Sequence, residues 1–244
     1  MKKILAVLLL LVPAFAWPAE GGEALERAPI NLNDKISLQR GAAAFVNHCL
    51  NCHSASMMRY ARLEDLGLSE EQIRNYLVFT EAKVGDTMAT AMDPKIAKAM
   101  FGVVPPDLSL AARSRSPDWL YTYLRSFYRD PTSKTGWNNT LFPNVAMPHV
   151  LWEYQGGQAL RVDKKIDEQT GDTIVTTKLV LDQPGTMSRL EYDRYVADLV
   201  NYLAYMGEPA QTSRTHWGIL ELFFLAGFFV LTLLLKKEYW KDVR

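Results

Sequence analysis

"HCLNCHSASMMR", residues 48–59, holds both cysteines of the chain, two of its four histidines and two of its nine methionines. A C-x-x-C spacing admits a disulfide or half of a zinc cage. Because His53 follows Cys52 directly, it also admits C-x-x-C-H, the signature of covalent c-type haem attachment. In that chemistry both sulfurs form thioethers with the porphyrin vinyl groups and the histidine binds the iron. A helix starting here would send positions 49, 52 and 53 to one side, toward one face of one ring. The compartment decides between the three, and the ends of the chain report on the compartment.

The N-terminus, "MKKILAVLLLLVPAFAWPAE", has Lys2 and Lys3, an apolar run from Ile4 to Leu11, and small residues that allow cleavage after Ala16 or Ala19. This is the form of a secretory signal peptide, residues 1–19, with an apolar run too short to cross a bilayer. Near the other end, "WGILELFFLAGFFVLTLLL", residues 217–235, carries Glu221 as its only charge. A run of that length matches the hydrocarbon core of a bilayer and predicts a transmembrane helix over residues 216–236. Lys236, Lys237, Lys241 and Arg244, beside Tyr239 and Trp240, form an inside-facing basic flank with an aromatic belt. The expected topology is a single pass of the bacterial inner membrane. Residues 20–215 would lie in the periplasm and residues 237–244 in the cytoplasm.

An exported domain meets an oxidising compartment, where two cysteines would ordinarily pair. His53 argues against pairing, and export favours haem attachment, which in bacteria takes place outside the cytoplasm. A zinc cage is poorly supported, because there is no second cysteine pair and His149 and His216 stand isolated. The same cysteine count allows one haem and excludes a second. A formal net charge of zero implies no general affinity for nucleic acid, and 48% hydrophobic residues exclude a disordered chain. Residues 20–215 carry 24 acidic and 21 basic side chains, a mild excess that permits docking of a basic partner.

A sixth iron ligand has several candidates. His48 precedes the motif and reads as a surface or helix-end residue. Met57 and Met58, on a continued helix, would fall on the side of His53 and read as packing residues. Met88, Met92 and Met100 read as ordinary core. Met147 lies in "GWNNTLFPNVAMPHVLW", a turn-rich stretch in which Pro143 and Pro148 stiffen a non-helical loop able to push a thioether toward the iron.

The segments "RGAAAFVNHCLNCHS", "VPPDLSLAARSRSPDWLYTYLRSFY", "FPNVAMPHVLW" and "TMSRLEYDRYVADLVNYLAYMGEP", followed by a tail anchor, resemble cytochrome c1, the haem subunit of the cytochrome bc1 complex, in order and spacing. The resemblance implies His53 as proximal and Met147 as distal ligand of one haem c. It also implies that a proline carbonyl of "PPDLS" accepts the imidazole N–H, Pro106 being favoured over Pro105. Arg115, with Arg113 as the fallback, would pair with a haem propionate. Trp119 stands where relatives have a tyrosine near a propionate, which leaves its role there or in the core open.

The expected fold is mainly α, a cytochrome c-like haem domain with a β-hairpin insertion and a single C-terminal transmembrane helix. A helix over Gly41–Asn47 would set Gly41 and Phe45 against a last helix from about Ser188 to Met206. That last helix would carry Leu190, Tyr195, Leu199, Tyr202 and Leu203 along one stripe and end at Gly207 and Pro209. "ALRVDKKIDEQTGDTIVTTKLVL" reads as a hairpin around a Gly171-Asp172 turn. Iron with histidine and methionine on both axial sides has no open position and suits single-electron transfer. The resemblance implies transfer from a Rieske iron–sulfur protein to cytochrome c, with cytochrome b and membrane lipid as further partners in a dimeric multi-subunit complex. The chain alone would be an electron carrier, with no catalytic acid or base. Two alternatives are a tethered cytochrome feeding a terminal oxidase or dehydrogenase, and a haem sensor or peroxidase.

Overall fold

The computed structural model describes residues 24–166 and 173–242. The expected signal peptide, the Gly171-Asp172 turn and Arg244 lie outside the described residues. Helices dominate: α1 (Lys35–His48), α2 (Glu70–Tyr76), α3 (Pro94–Phe101), α4 (Ala111–Arg115), α5 (Pro117–Arg125), α6 (Trp152–Gln155), α7 (Arg189–Gly207) and α8 (Gln211–Tyr239). A 3-10 helix covers Tyr60–Leu66. Three antiparallel pairs join β1 (Ala55–Arg59) to β2 (Thr87–Met88), β3 (Phe127–Arg129) to β4 (Trp137–Asn139), and β5 (Gly156–Ile166) to β6 (Thr173–Pro184).

The core is organised by α1 against α7. The Asp34 side chain caps α1 by accepting from Ser37 N, and Ser188 with Glu191 forms a capping box at the start of α7. Leu38, Gly41, Ala42, Phe45 and Val46 recur at helical spacing on the buried face of α1. Facing them, α7 buries Tyr192, Val196, Leu199, Val200, Tyr202, Leu203 and Met206. Gly41 lies at the crossing: a Cβ there would sit 2.0 Å from the Asp198 carbonyl oxygen and 2.7 Å from Tyr202 Cβ. The helices therefore touch backbone to backbone, which only glycine permits. Phe45 is fully buried and packs its ring 5.7 Å from that of Tyr202, a burial that contributes about 2–3 kcal/mol. Helix α5 docks beside them through Leu120, Tyr121 and Leu124, and the Tyr192 hydroxyl donates to the Leu124 carbonyl at 2.8 Å.

Several expectations need correction. The C-x-x-C-H motif follows the end of α1 and does not open a helix. Cys49 is the C-cap of α1, and Cys52 N and His53 N both donate to the Cys49 carbonyl, at 3.0 and 2.8 Å. Met57 and Met58 then lie in β1, where an irregularity in the pairing with β2 breaks strict alternation, leaving Ser56 and Met57 exposed between buried Ala55 and Met58. Met88 is core, but Met100 is 61% exposed because α3 turns only Ala97 fully inward, and Met92, in the segment before α3, is half-buried. Leu190 is exposed, since the buried face of α7 begins at Tyr192. The last helix otherwise runs as expected, and Glu208–Ala210 separate it from α8.

The hairpin is present and longer than its sequence pattern suggests. It runs from Gly156 paired with Pro184 out to Ile166 paired with Thr173. Its base is tied to the helical domain by Gln158, whose Nε2 donates to the carbonyls of Arg125 and Phe127 at 3.0 and 2.8 Å. Within α8, Ser213–Tyr239 is long and apolar enough to cross a membrane, and none of its most apolar stretch is buried against the rest of the described chain.

Candidate haem site

The proximal half grows from the end of α1. Cys49 is buried and Cys52 half-buried, and neither forms a disulfide. Burial, with Cys52 beside it, pushes the Cys49 thiol up to about 12, and burial also raises Cys52. Reactive or metal-thiolate cysteines show the opposite shift, so both sulfurs stay protonated as thiols. Cys49 and Cys52 would hold a haem c through thioethers, each S–H adding across a vinyl group.

His53 Nδ1 lies 2.7 Å from the Pro106 carbonyl oxygen, so Nδ1 carries the proton and Nε2 keeps its lone pair. Burial lowers the imidazole, against the opposing Pro106 bond and the Asp107 charge, which favours the neutral ring that a metal requires. The "PPDLS" loop is stitched to the residues after the motif. Leu108 N donates to Ser54 O at 2.8 Å, Ser56 N to Asp107 Oδ2 at 2.8 Å, and Met57 N to Ser109 Oγ at 3.0 Å. A carbonyl held this way fixes the ring plane, and such a bond strengthens a ligand. Asp107 also accepts from Ser109 N at 2.8 Å. Burial raises its carboxyl, but the bonds from Ser109 and Ser56 outweigh burial and leave it below the usual range.

The distal half is a loop held by side chains. Met147 sits half-buried in a bend, and the Tyr123 hydroxyl lies 3.5 Å from its sulfur. Asn139, 1% exposed, donates from Nδ2 to the Tyr123 carbonyl at 2.8 Å and accepts at Oδ1 from Leu141 N and Phe142 N, at 3.0 and 3.1 Å. Asn138 Oδ1 accepts from Asn144 N at 2.8 Å. Beyond Met147, His149 is buried with its ring stacked 4.8 Å from Phe127 and its Nε2 2.6 Å from Gln155 Oε1. Burial lowers it to about 4, so it is a neutral packing residue. Tyr123, Asn138, Asn139 and His149 were not singled out from the sequence as builders of this loop. The "WNNT" run before a proline was the available signal, since asparagine side chains commonly satisfy turn backbone.

The two arginines separate by their partners. Arg113 pairs with Glu208 at 3.6 Å. Arg115 makes no ion pair among the described residues, and its guanidinium lies 5.2 Å from the Trp119 ring and 6.0 Å from Phe142. Trp119 stacks on Tyr123 at 4.8 Å, interplanar angle 12°. Ser116, between Arg115 and the start of α5, adopts φ 86° and caps the helix by accepting from Trp119 N. Arg115 and Trp119 thus stand beside the tyrosine that touches Met147, whereas His48 packs away from this group against Tyr154 and Tyr195.

The donor set is two free thiols, one imidazole tied back through Nδ1, one thioether, and one unpaired arginine. It fits a single haem c. Among the described residues no group of three or more His, Cys, Asp or Glu side chains is placed to hold a metal ion by itself.

Comparison with known proteins agrees with this chemistry. The profile of the Cytochrome C1 family matches residues 26–243. A cytochrome c1 of Allochromatium vinosum is 51% identical over 243 residues, covering 99% of each chain. A protein of Nitrosomonas europaea named ammonia monooxygenase gamma subunit is also 51% identical over 243 residues, covering 100% of this chain and 99% of its own. The mitochondrial cytochrome c1 haem protein of Saccharomyces cerevisiae is 23% identical over 95% of this chain and 73% of its own length. Cytochrome c1 proteins carry a covalently bound haem c and act as haem-bearing electron-transfer subunits of the bc1 complex. Matched over nearly its whole length, this chain belongs to the cytochrome c1 family.

Proposed function

We propose that this chain is a membrane-anchored c-type cytochrome that passes electrons from a Rieske iron–sulfur protein to cytochrome c, beside cytochrome b in a dimeric bc1 complex. Cys49 and Cys52 would anchor the haem, and His53 and Met147 would be its axial ligands. Arg115 would neutralise a propionate, with Trp119 flanking it. The haem supplies reversible one-electron exchange at iron. The protein's part is to keep both axial places filled and the ring orientation constant, so that little changes when the electron arrives or leaves.

The observation that carries this reading is the His53 Nδ1 bond to Pro106 at 2.7 Å, immediately beside two free thiols. A histidine tied through Nδ1 offers only Nε2, as a metal ligand does. The proposed division is a signal peptide over 1–19, a periplasmic domain over 20–215, a transmembrane helix over 216–236 and a cytoplasmic tail over 237–244. The exposed apolar face of α8 and the basic residues behind it support that orientation.

Purification in mild detergent tests the assignment. Isolation with cytochrome b and a Rieske protein is expected. Isolation alone, with a terminal oxidase, or with monooxygenase subunits, as the name of the Nitrosomonas relative would suggest, overturns it. Little carbon monoxide binding to the reduced native protein is expected, because a sensor or peroxidase would open its distal side. Met147→Leu should abolish the methionine-to-ferric-iron absorption band, and retention of that band sinks the ligand assignment.

A further inference from the structure

We propose that Tyr123 is a positioning residue for the Met147 thioether: its hydroxyl engages one sulfur lone pair, leaving only the other for a metal. The inference rests on Met147 being the distal ligand. The contact is 3.5 Å, and no other acceptor takes this hydroxyl among the described residues. Buried phenols usually find an oxygen, as Tyr192 does with the Leu124 carbonyl at 2.8 Å. Sulfur is a weaker acceptor, so the geometry has to be enforced by neighbours.

It is enforced from three sides. Trp119 stacks on one face of Tyr123 at 4.8 Å, and Phe127 meets it edge-on at 5.0 Å. Asn139 bonds the Tyr123 carbonyl with its nitrogen and the loop amides of Leu141 and Phe142 with its oxygen. One buried side chain therefore sets the register between the helix carrying Tyr123 and the loop carrying Met147.

A proton shared with sulfur draws electron density from it and weakens its donation to ferric iron more than to ferrous iron. The bond therefore favours the reduced state. Its loss should move the ferric-to-ferrous ratio at fixed ambient potential about threefold to tenfold toward ferric, a fall of about 30–60 mV.

The molecule contains its own control. The Tyr202 hydroxyl also lies 3.5 Å from a methionine sulfur, that of Met88, and both side chains are fully buried in the core, away from the distal loop. Potentiometric titration and absorption spectra of the full chain in solubilised membranes separate the cases. Tyr123→Phe should keep the methionine band and lower the potential, whereas Tyr202→Phe should cost stability and leave the potential in place. An unchanged potential in Tyr123→Phe, or an equal fall in Tyr202→Phe, overturns the inference while Met147→Leu still reports on the ligand itself. Should Tyr123→Phe fail to fold, 3-fluorotyrosine at position 123, a stronger donor of nearly the same shape, should raise the potential, and no rise overturns the inference. A methionine band surviving in Met147→Leu overturns the ligand reading and the inference with it.

Discussion

Residues 53–57 face residues 106–109 across four hydrogen bonds, each with a backbone group on at least one side and three of them anchored by backbone N–H. Among the described residues, 140–149 make one backbone bond to a neighbouring segment, Thr140 N to Ser126 O at 3.1 Å. Their loop is held by Asn138, Asn139 and the ring of Tyr123, side chains that reach in from β4 and α5. The proximal half is two facing segments joined by one backbone–backbone bond and by three bonds between a backbone group and the side chain of His53, Asp107 or Ser109, whereas the distal half hangs mainly on polar side chains from outside the loop. This division matches the roles proposed for them. A covalently anchored side needs only a constant frame, while a ligand held by one weak iron–sulfur bond needs its position enforced.

The harshest way to break the comparison is to remove the frame common to both halves. Gly41→Val should clash with the Asp198 carbonyl and Tyr202, destabilising by about 3 kcal/mol or more. Because α1 carries Cys49 and α7 supports α5, thermal unfolding and haem staining should show both halves lost together. A protein with normal haem content and stability would show that the helix crossing does not set the site.

Asn139→Ala tests the distal half alone. It removes three hydrogen bonds from a buried position and leaves their partners unpaired, a loss of about 2–4 kcal/mol. Covalent haem should persist while the methionine band weakens and carbon monoxide binding to the reduced protein accelerates. Equal loss of covalent haem would erase the distinction between the halves.

Ser116→Gly should have a smaller effect, of opposite sign. Serine at φ 86° and ψ 151° is strained by about 1–3 kcal/mol, whereas glycine loses only a few tenths as a cap. The net gain of about 1 kcal/mol should raise Tm by about 2–4 °C. No rise would mean that the turn aiming Arg115 is held without strain.

Asp107→Asn probes the proximal half and should give the smallest effect. Net hydrogen bonding from Ser109 and Ser56 depresses the folded carboxyl, so its contribution is complete above the unfolded value near 3.8 and disappears as pH falls through the lower folded value. The Tm gap between wild type and Asn variant should therefore be widest near neutral pH and close on acidification. A gap that grows in acid would contradict the bonding described.

Local patterns carried much of this in the sequence. The hairpin, the last helix starting near Ser188, the facing of Gly41 toward it and the apolar C-terminal helix were legible because strand alternation and helical period act over a few residues. The direction of the motif was not: C-x-x-C-H has the same spacing before a helix as after one, and only the Cys49 C-cap shows that α1 ends there. Nor did the methionines sort themselves, since Met57 and Met58 part company only once the chain is a strand.

By itself the sequence determined the chemistry on offer, two thiols, an imidazole and a distant thioether, because covalent connectivity and spacing are local properties. Only the tertiary structure decided which groups meet: Pro106 on His53 across 53 residues, Tyr123 on Met147 across 24, and Arg113 on Glu208 rather than Arg115. Those contacts depend on how α5 and the distal loop pack against a core built by α1 and α7. No local pattern encodes that packing, because it is set by the simultaneous burial of side chains far apart in the chain.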